Sequence, residues 1–505
     1  MFNPSTEVRV ILAQEQEILK GQQQYHQMAE FVRHASRDGR PVHEVERYLW
    51  EQSLKMNLSL LAGFVKGVGT GDLGPTLEHE GRTLKRLEHT HVHRYVSVFG
   101  ELPISRHVYG TRETQKHEVV PLDARLDLPE SNFSYVLQDW DQNLCVKGPY
   151  DEARESVQKM LGLKQSVGSL EKMGLEMSRQ VGLFFEQLPT PPAEEQGSIL
   201  VLTSDGKGVP MRKNEPAKSG RRKKGEKANK KRMACVGAVY TIEPFVRTAD
   251  DVVNEVMRKE ASENRPVPQH KQVRAELTRE IDGVEVNGKS LIFGWFKQSV
   301  DAINPIRKNG QRDKPVVCVM DGERALWKML MTFLTGIICI LDIFHVLERV
   351  WQAAHCFYPE GSDEAREFVN QRLTRILEGD VGRVIGGLKQ MATKQNLRGA
   401  KLKQLNSAIG YLHNNRRFMK YDQYLAAGYP IGSGVAEGAC RHLVKDRMER
   451  TGMRWVVPSA QAMLDLRAVH ASDQWEEFQD YRINAESQRL YPYKELVTSA
   501  WQEAA

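Results

Sequence analysis

The chain has 505 residues, 40% hydrophobic and 27% charged, with a formal net charge of +6. That length accommodates several domains of roughly 100–200 residues each, and the composition is that of a globular chain rather than a disordered or fibrous one. No apolar run approaches the roughly 20 residues that a bilayer-spanning helix needs, and the start Met1-Phe2-Asn3-Pro4-Ser5-Thr6-Glu7 lacks the pattern of a secretory signal. A cytoplasmic location is therefore expected, with no membrane partner. The six cysteines (Cys145, Cys235, Cys318, Cys339, Cys356, Cys440) are scattered and include no Cys-x-x-Cys pair. They read as free thiols, against a disulfide framework or a cysteine zinc site.

Residues 1–66 read as a helical region, with Val10, Leu12, Ile18, Leu19, Phe31 and Val32 at helical spacing among many Glu and Gln. Packing or assembly is its expected role. Gly67–Gly74 reads as a linker. Residues 80–125 alternate β-branched or aromatic with basic residues, as in Val92-His93-Arg94-Tyr95-Val96, which predicts a small β-rich module. Five histidines (His89, His91, His93, His107, His117) fall there. Without cysteine or acid partners at a known spacing they make a weak zinc motif. Residues 131–190 return to helix, with Ser131, Asp151 and Ser166 as possible caps. Around Gly162 the pattern is helix, turn, helix, the outline of a DNA-binding motif that any helical hairpin also produces.

Pro189-Thr190-Pro191-Pro192 marks a boundary. In residues 196–358 strand and helix signals alternate: strands at Ile199–Thr203, Val236–Ile242, Val316–Met320 and Ile337–Leu341, helices at Ala325–Thr335 and Phe344–Ala354, and a strand or helix start at Leu291–Phe296. Between Arg212 and Arg232, eleven of 21 residues are Lys or Arg. A block of this kind repels itself and reads as a loop or arm. Either it is a solvated linker, or it grips phosphates through residues such as Arg221, Arg222, Lys223 and Lys224. Residues 359–428 are helical and rich in Lys, Arg and Gln. Residues 429–475 open on Pro430-Ile431-Gly432-Ser433-Gly434 and continue as a basic helix, and 476–505 reads as a C-terminal tail.

Three carboxylates stand in conspicuous phrases: Asp205 in Ser204-Asp205-Gly206-Lys207-Gly208, Asp321 in Val319-Met320-Asp321-Gly322-Glu323-Arg324, and Glu437 in Gly434-Val435-Ala436-Glu437-Gly438. The first two follow apolar strands and so face the crevice where ligands gather in α/β sheets. The third opens a helix. Any one strand-end Asp is usually a turn-former or cap. Three in order, each beside glycines, fit the oxygen-rich cage that two Mg²⁺ (or Mn²⁺) ions need for phosphoryl transfer. The fold class expected is multidomain α/β, with a ribonuclease H-like catalytic core (196–358 and 429–475) interrupted by an all-helical insertion (359–428). N-terminal helical and small β-containing DNA-binding regions precede it. Arg441 and Lys445 lie one and two turns beyond Glu437, and Lys207 lies beside Asp205, so all three are candidate DNA contacts. Asp342 and His345, after the Ile337–Leu341 strand, form a second-rank pair; Asp342 could also cap the next helix.

These phrases resemble bacterial insertion-sequence transposases of the DDE class, most closely the ISKra family. The similarity rests on Asp205-Gly206-Lys207-Gly208-Val209-Pro210-Met211-Arg212, on Asp321-Gly322-Glu323-Arg324-Ala325-Leu326-Trp327, and on Ile431 to Glu437 with Arg447-Met448 and Gly452-Met453-Arg454-Trp455. Asp342-Ile343-Phe344-His345 resembles the Asp-x-x-His element of Mutator-like transposases. The resemblance implies that Asp205, Asp321 and Glu437 hold the two metal ions, that the protein binds the terminal inverted repeats of its element and joins the cleaved ends to target DNA, and that several copies pair two ends. It implies a bacterial protein, associated with the nucleoid when bound to DNA. Related proteins often carry a cysteine zinc-ribbon near the 82–122 region, and this chain has no cysteines there. A ribonuclease H-like nuclease without strand transfer and an inactive DNA-binding derivative are the alternatives.

Overall fold

A computed structural model describes residues 6–111, 118–212, 231–257, 264–450 and 452–504. The chain divides into two compact units, Met1–Gln180 with Glu476–Ala505, and Val181–Trp475.

The first unit opens with two long helices, Thr6–Arg37 and Val42–Val68. A four-residue connection containing Gly39 at φ +62° folds them back on each other. Gly21 lies against Leu60 and Gly63 against Ile18, which fixes their antiparallel register. The strands follow as β1 (Thr76–His79), β2 (Arg82–Arg86), β3 (His91–Ser97), β4 (Gly100–Arg106) and β5 (Tyr109–Gly110). β1, β2 and β5 form one antiparallel sheet, and β3 and β4 form a separate hairpin. Helices Tyr135–Lys147, Tyr150–Leu161 and Val167–Ser178 pack on one another. Ser134 and Ser166 cap the first and third, and Gly162 in the left-handed region ends the second.

Residues 476–505, read from the sequence as a tail, instead belong to this unit. Most lie in helices Trp475–Leu490 and Lys494–Ala504. Tyr491 and Val497 share a core with Leu77, Leu84 and Tyr109. Arg482, 2% exposed, donates to Gln138 and Gln479. Apolar residues at helical spacing need cover, and the β1–β2–β5 sheet supplies it.

The second unit is a mixed α/β fold around five strands: β6 (Ile199–Pro210), β7 (Lys231–Ile242), β8 (Gln269–Leu277), and then, after a small hairpin β9 (Arg279–Ile281) and β10 (Val284–Val286), β11 (Val316–Met320) and β12 (Ile338–Leu341). Their spatial order is β12-β11-β6-β7-β8. β6, β7 and β8 are antiparallel neighbours, and β11 and β12 run parallel to β6. β11 is buried along its whole length, as a parallel strand covered on both faces must be. Helix Gly288–Ile303 lies against β7, where a side chain on Gly237 would meet Ile292 at 2.7 Å.

The helical insertion runs through Asp363–Leu377, Val381–Lys394, Gly399–Asn415 and Tyr421–Ala426. It shares one continuous hydrophobic core with the sheet. Both sheet edges are closed by side chains. On β12 the Tyr421 hydroxyl donates to the Leu341 carbonyl at 2.7 Å and Tyr424 to Cys339 at 3.2 Å. On β8, Gln461 accepts from Leu277 N and Ser472 from Val273 N, both from helix Val457–Ala471 and its C-cap. Unpaired edge groups are otherwise an aggregation hazard. Among the described residues, no helix is long and apolar enough to cross a membrane.

Candidate active site

The sheet register brings three aspartates to one level. Met320 of β11 pairs with Ser204 of β6 on one side and with Leu341 of β12 on the other. Asp205, Asp321 and Asp342 each follow one residue later, on three adjacent parallel strands. Asp321 and Asp342 lie just past their strand ends. Asp205 corrects the sequence reading: it is not at a strand end but midway along β6, which continues to Pro210 by pairing with β7. It stands where the parallel neighbour β11 stops, and so reaches the same crevice.

Glu437 comes from helix Gly434–Ala439, which packs over β6 and β7. One turn later, burial and the nearby Asp205 push the Cys440 thiol well above its ordinary range. Glu437 shares a tight group with Asp342 and His345, in which one ligand atom from each lies within 4.8 Å of the others. Asp205 and Asp321 are outside that group, which among the described residues is the one cluster of this kind.

The hydrogen bonds separate the roles of these acids. Asp342 has no exposed surface. One of its oxygens accepts from Phe344 N at 3.0 Å and Ser433 N at 3.3 Å, and the other from His345 Nδ1 at 3.0 Å and from the Ser433 hydroxyl. A carboxylate offers about four lone-pair sites, so Asp342 is saturated. It caps helix Ile343–Phe357 and is tied to the loop before Glu437 through Ser433. The hydrogen bond to Asp342 pushes His345 up to about 9, and the nearby Asp321 acts in the same direction. With no ion bound, this ring is a cation at neutral pH.

Asp321 and Glu437 present the opposite picture. Burial raises both carboxyls above their ordinary range, and neighbouring acids, Asp205 among them, raise them further. Asp321 accepts one backbone bond, from Glu323 N at 2.8 Å. Acids that repel one another while retaining free oxygens form a hard-cation donor set. Asp321 and Glu437 thus retain free carboxylate oxygens beside Asp205, while the group at metal-ligand spacing is Asp342, His345 and Glu437.

Lys207 lies two residues past Asp205, on the same side of β6. Arg441 is exposed and reaches Asp446 at 3.6 Å, and Lys445 is exposed. Both sit on a π-helical turn, Cys440–Lys445. The wider turn alters their phase relative to Glu437, so regular helical spacing does not describe it. Arg221, Arg222, Lys223 and Lys224 lie outside the described residues, as does His117. Burial pushes His93 down to about 4 and also lowers His107. Among the described residues, the histidines of 82–122 form no group at metal-ligand spacing. The sequence reading missed Ser433 and Cys440, although both stand in the Gly-rich phrase around Glu437.

No family model and no curated protein matches the chain. Among solved structures it is similar to a chain of the Drosophila P element transposase strand transfer complex, with 11% identity over 70% of this chain and 81% of that one, at a TM-score of 0.24. A score at that level carries no inference about fold or function.

Proposed function

We propose that this protein is a DDE-type DNA transposase. In this reading it binds the terminal inverted repeats of an insertion sequence, cleaves the ends, and joins the 3′-hydroxyls to target DNA by phosphoryl transfer at Asp205, Asp321 and Glu437. The observation that carries the reading is the shared level of Asp205 and Asp321 on adjacent strands, with the Glu437 helix packed over the same strand. The sheet supports a ribonuclease H-like core: three antiparallel neighbours, with two further strands added parallel to the first, is the arrangement which that fold uses.

Asp205, Asp321 and Glu437 would hold two Mg²⁺ (or Mn²⁺) ions, which when bound would supply Lewis-acid stabilisation to the attacking and leaving oxygens. Asp342 holds His345 in its charged form and anchors the loop before Glu437 through Ser433. The His345 cation beside Asp321 offers a partner for a phosphate oxygen entering the crevice. Lys207, Arg441 and Lys445 add positive charge along the approach of a DNA backbone. Pairing two element ends requires more than one copy, so a homo-oligomer is part of the proposal.

The test is incubation with Mg²⁺ and labelled DNA that carries the element's own ends. Cleaved ends together with joined product are expected. Cleavage without joining would favour a nuclease built on the same core, and binding without either reaction would contradict phosphoryl transfer.

A further inference from the structure

Beside the carboxylates a groove of about 570 Å³ opens between helix Arg324–Phe333 and the C-terminal end of helix Gly399–Asn415. Its lining starts at Gly322, one residue from Asp321, and includes three cations (Arg324, Lys328 and Arg417) and no acid. All three cations are exposed, and among the described residues none forms an ion pair. Arg324 and Lys328 are like charges four residues apart on one helix, an arrangement that mildly destabilises the helix itself. Arg417 stacks on Phe418, and Phe418 stacks on Trp327 with ring centroids 4.2 Å apart. The fold gains nothing evident from gathering this charge. An anionic ligand would.

The groove is tied rigidly to the site. Gly322 N donates to the Tyr411 hydroxyl at 3.1 Å, and a side chain at Gly322 would meet the Tyr411 ring at 2.6 Å. Insertion helix Gly399–Asn415 is therefore pressed against the residue next to Asp321, and the groove begins one residue from that carboxylate.

We propose that this groove holds the nucleotides flanking the reacting phosphate, with consecutive phosphodiesters on Arg324, Lys328 and Arg417. In this role the helical insertion forms one wall of the DNA path. The inference rests on the function proposed above and names where its substrate strand lies. The same chemistry would also accept a free nucleotide; the strand is favoured because the groove begins at the carboxylates rather than standing apart from them.

The experiment measures binding of a fluorescein-labelled single-stranded oligonucleotide in EDTA, so that no cleavage intervenes, across a series of salt concentrations. The triple variant Arg324→Gln/Lys328→Gln/Arg417→Gln, with folding checked by circular dichroism, is compared with wild type and with Lys389→Gln/Lys394→Gln/Lys403→Gln. The latter three are exposed cations of the same insertion outside the groove. The salt slope of the groove variant is expected to fall by about two, at roughly 0.7 per lost phosphate contact, with affinity down about tenfold or more at moderate salt. The control triple and Arg417→Lys should keep the wild-type slope, and millimolar dAMP should not displace the strand. An unchanged slope in the groove variant, an equal loss in the control, or displacement by dAMP would each overturn the strand assignment while leaving the proposed function standing. Absence of strand binding by the wild type would likewise overturn the strand assignment, whereas the proposed function falls only if element-end DNA is neither cleaved nor joined in Mg²⁺.

Discussion

Asp342 and Asp321 lie one strand apart at the same level, yet their surroundings assign them opposite behaviour. Asp342 accepts four hydrogen bonds and is fully buried. Asp342→Asn places amide hydrogens against existing donors and is expected to cost about 2–4 kcal/mol, read as a lower midpoint in chemical denaturation. Asp321→Asn removes a carboxyl that burial and like charges already disfavour, and should leave stability unchanged or raised. Equal destabilisation by both would contradict the division of roles. A third acid, Asp141 in the first unit, is fully buried with Gln165 as hydrogen-bond partner, and burial pushes it up to about 7. Its folded pKa exceeds the unfolded value, so the folded state holds the extra proton between roughly pH 4 and 7 and stability falls as pH rises through that window. Asp141→Asn should flatten this decline and raise stability at pH 8 by an amount on the order of 2–4 kcal/mol. An unchanged pH profile would contradict it. The placement of Asp205 and Asp321 after buried apolar runs was legible in the sequence, because each stands beside glycine at the end of such a run. The saturation of Asp342 was not legible, since Ser433 reaches it across 91 residues.

At the scale of elements, the buried parallel strands were plain in the sequence as Val316–Met320 and Ile337–Leu341, uninterrupted apolar runs that nothing else explains. Two features were not. β8 escaped notice because Gln269-His270-Lys271-Gln272 opens it with polar residues, and only Val273, Ala275 and Leu277 carry the alternation of a half-covered strand. The length of β6 was hidden by Gly206, Gly208 and Pro210, which normally end a strand. They are tolerated because β11 has stopped by then and only β7 remains to be paired. The covering of β8 depends on Gln461, 5% exposed, which accepts from Leu277 N and donates to the Ala275 carbonyl and to Asp465. Gln461→Ala should cost about 1–3 kcal/mol and raise hydrogen exchange at Leu277. Unaltered exchange there would show that another group covers the edge.

For the molecule as a whole, the chain leaves the first unit at about residue 180 and returns to it after Trp475. Connectivity of this kind leaves little mark in a sequence: the final thirty residues are polar enough to read as a tail, and their partners lie some 370 residues earlier. Tyr491 and Val497, each in the core with Leu77, Leu84 and Tyr109, contribute roughly 1.5–3 kcal/mol apiece. Removing residues 476–505 should therefore cost the first unit most of its hydrogen-exchange protection, since a domain's stability is only about 5–15 kcal/mol. The second unit, whose core lies within Ile199–Ile431, should keep its protection. Loss of protection in both units, or in neither, would contradict the division.

The most direct measurement is the single-turnover cleavage rate of element-end DNA in Mg²⁺ for Asp321→Asn beside the wild type, with Kd for the same DNA determined on the same preparations. Phosphoryl transfer at the shared level of Asp205 and Asp321 requires cleavage to fall by at least about 100-fold while Kd stays within about threefold. Cleavage by Asp321→Asn at the wild-type rate would contradict it.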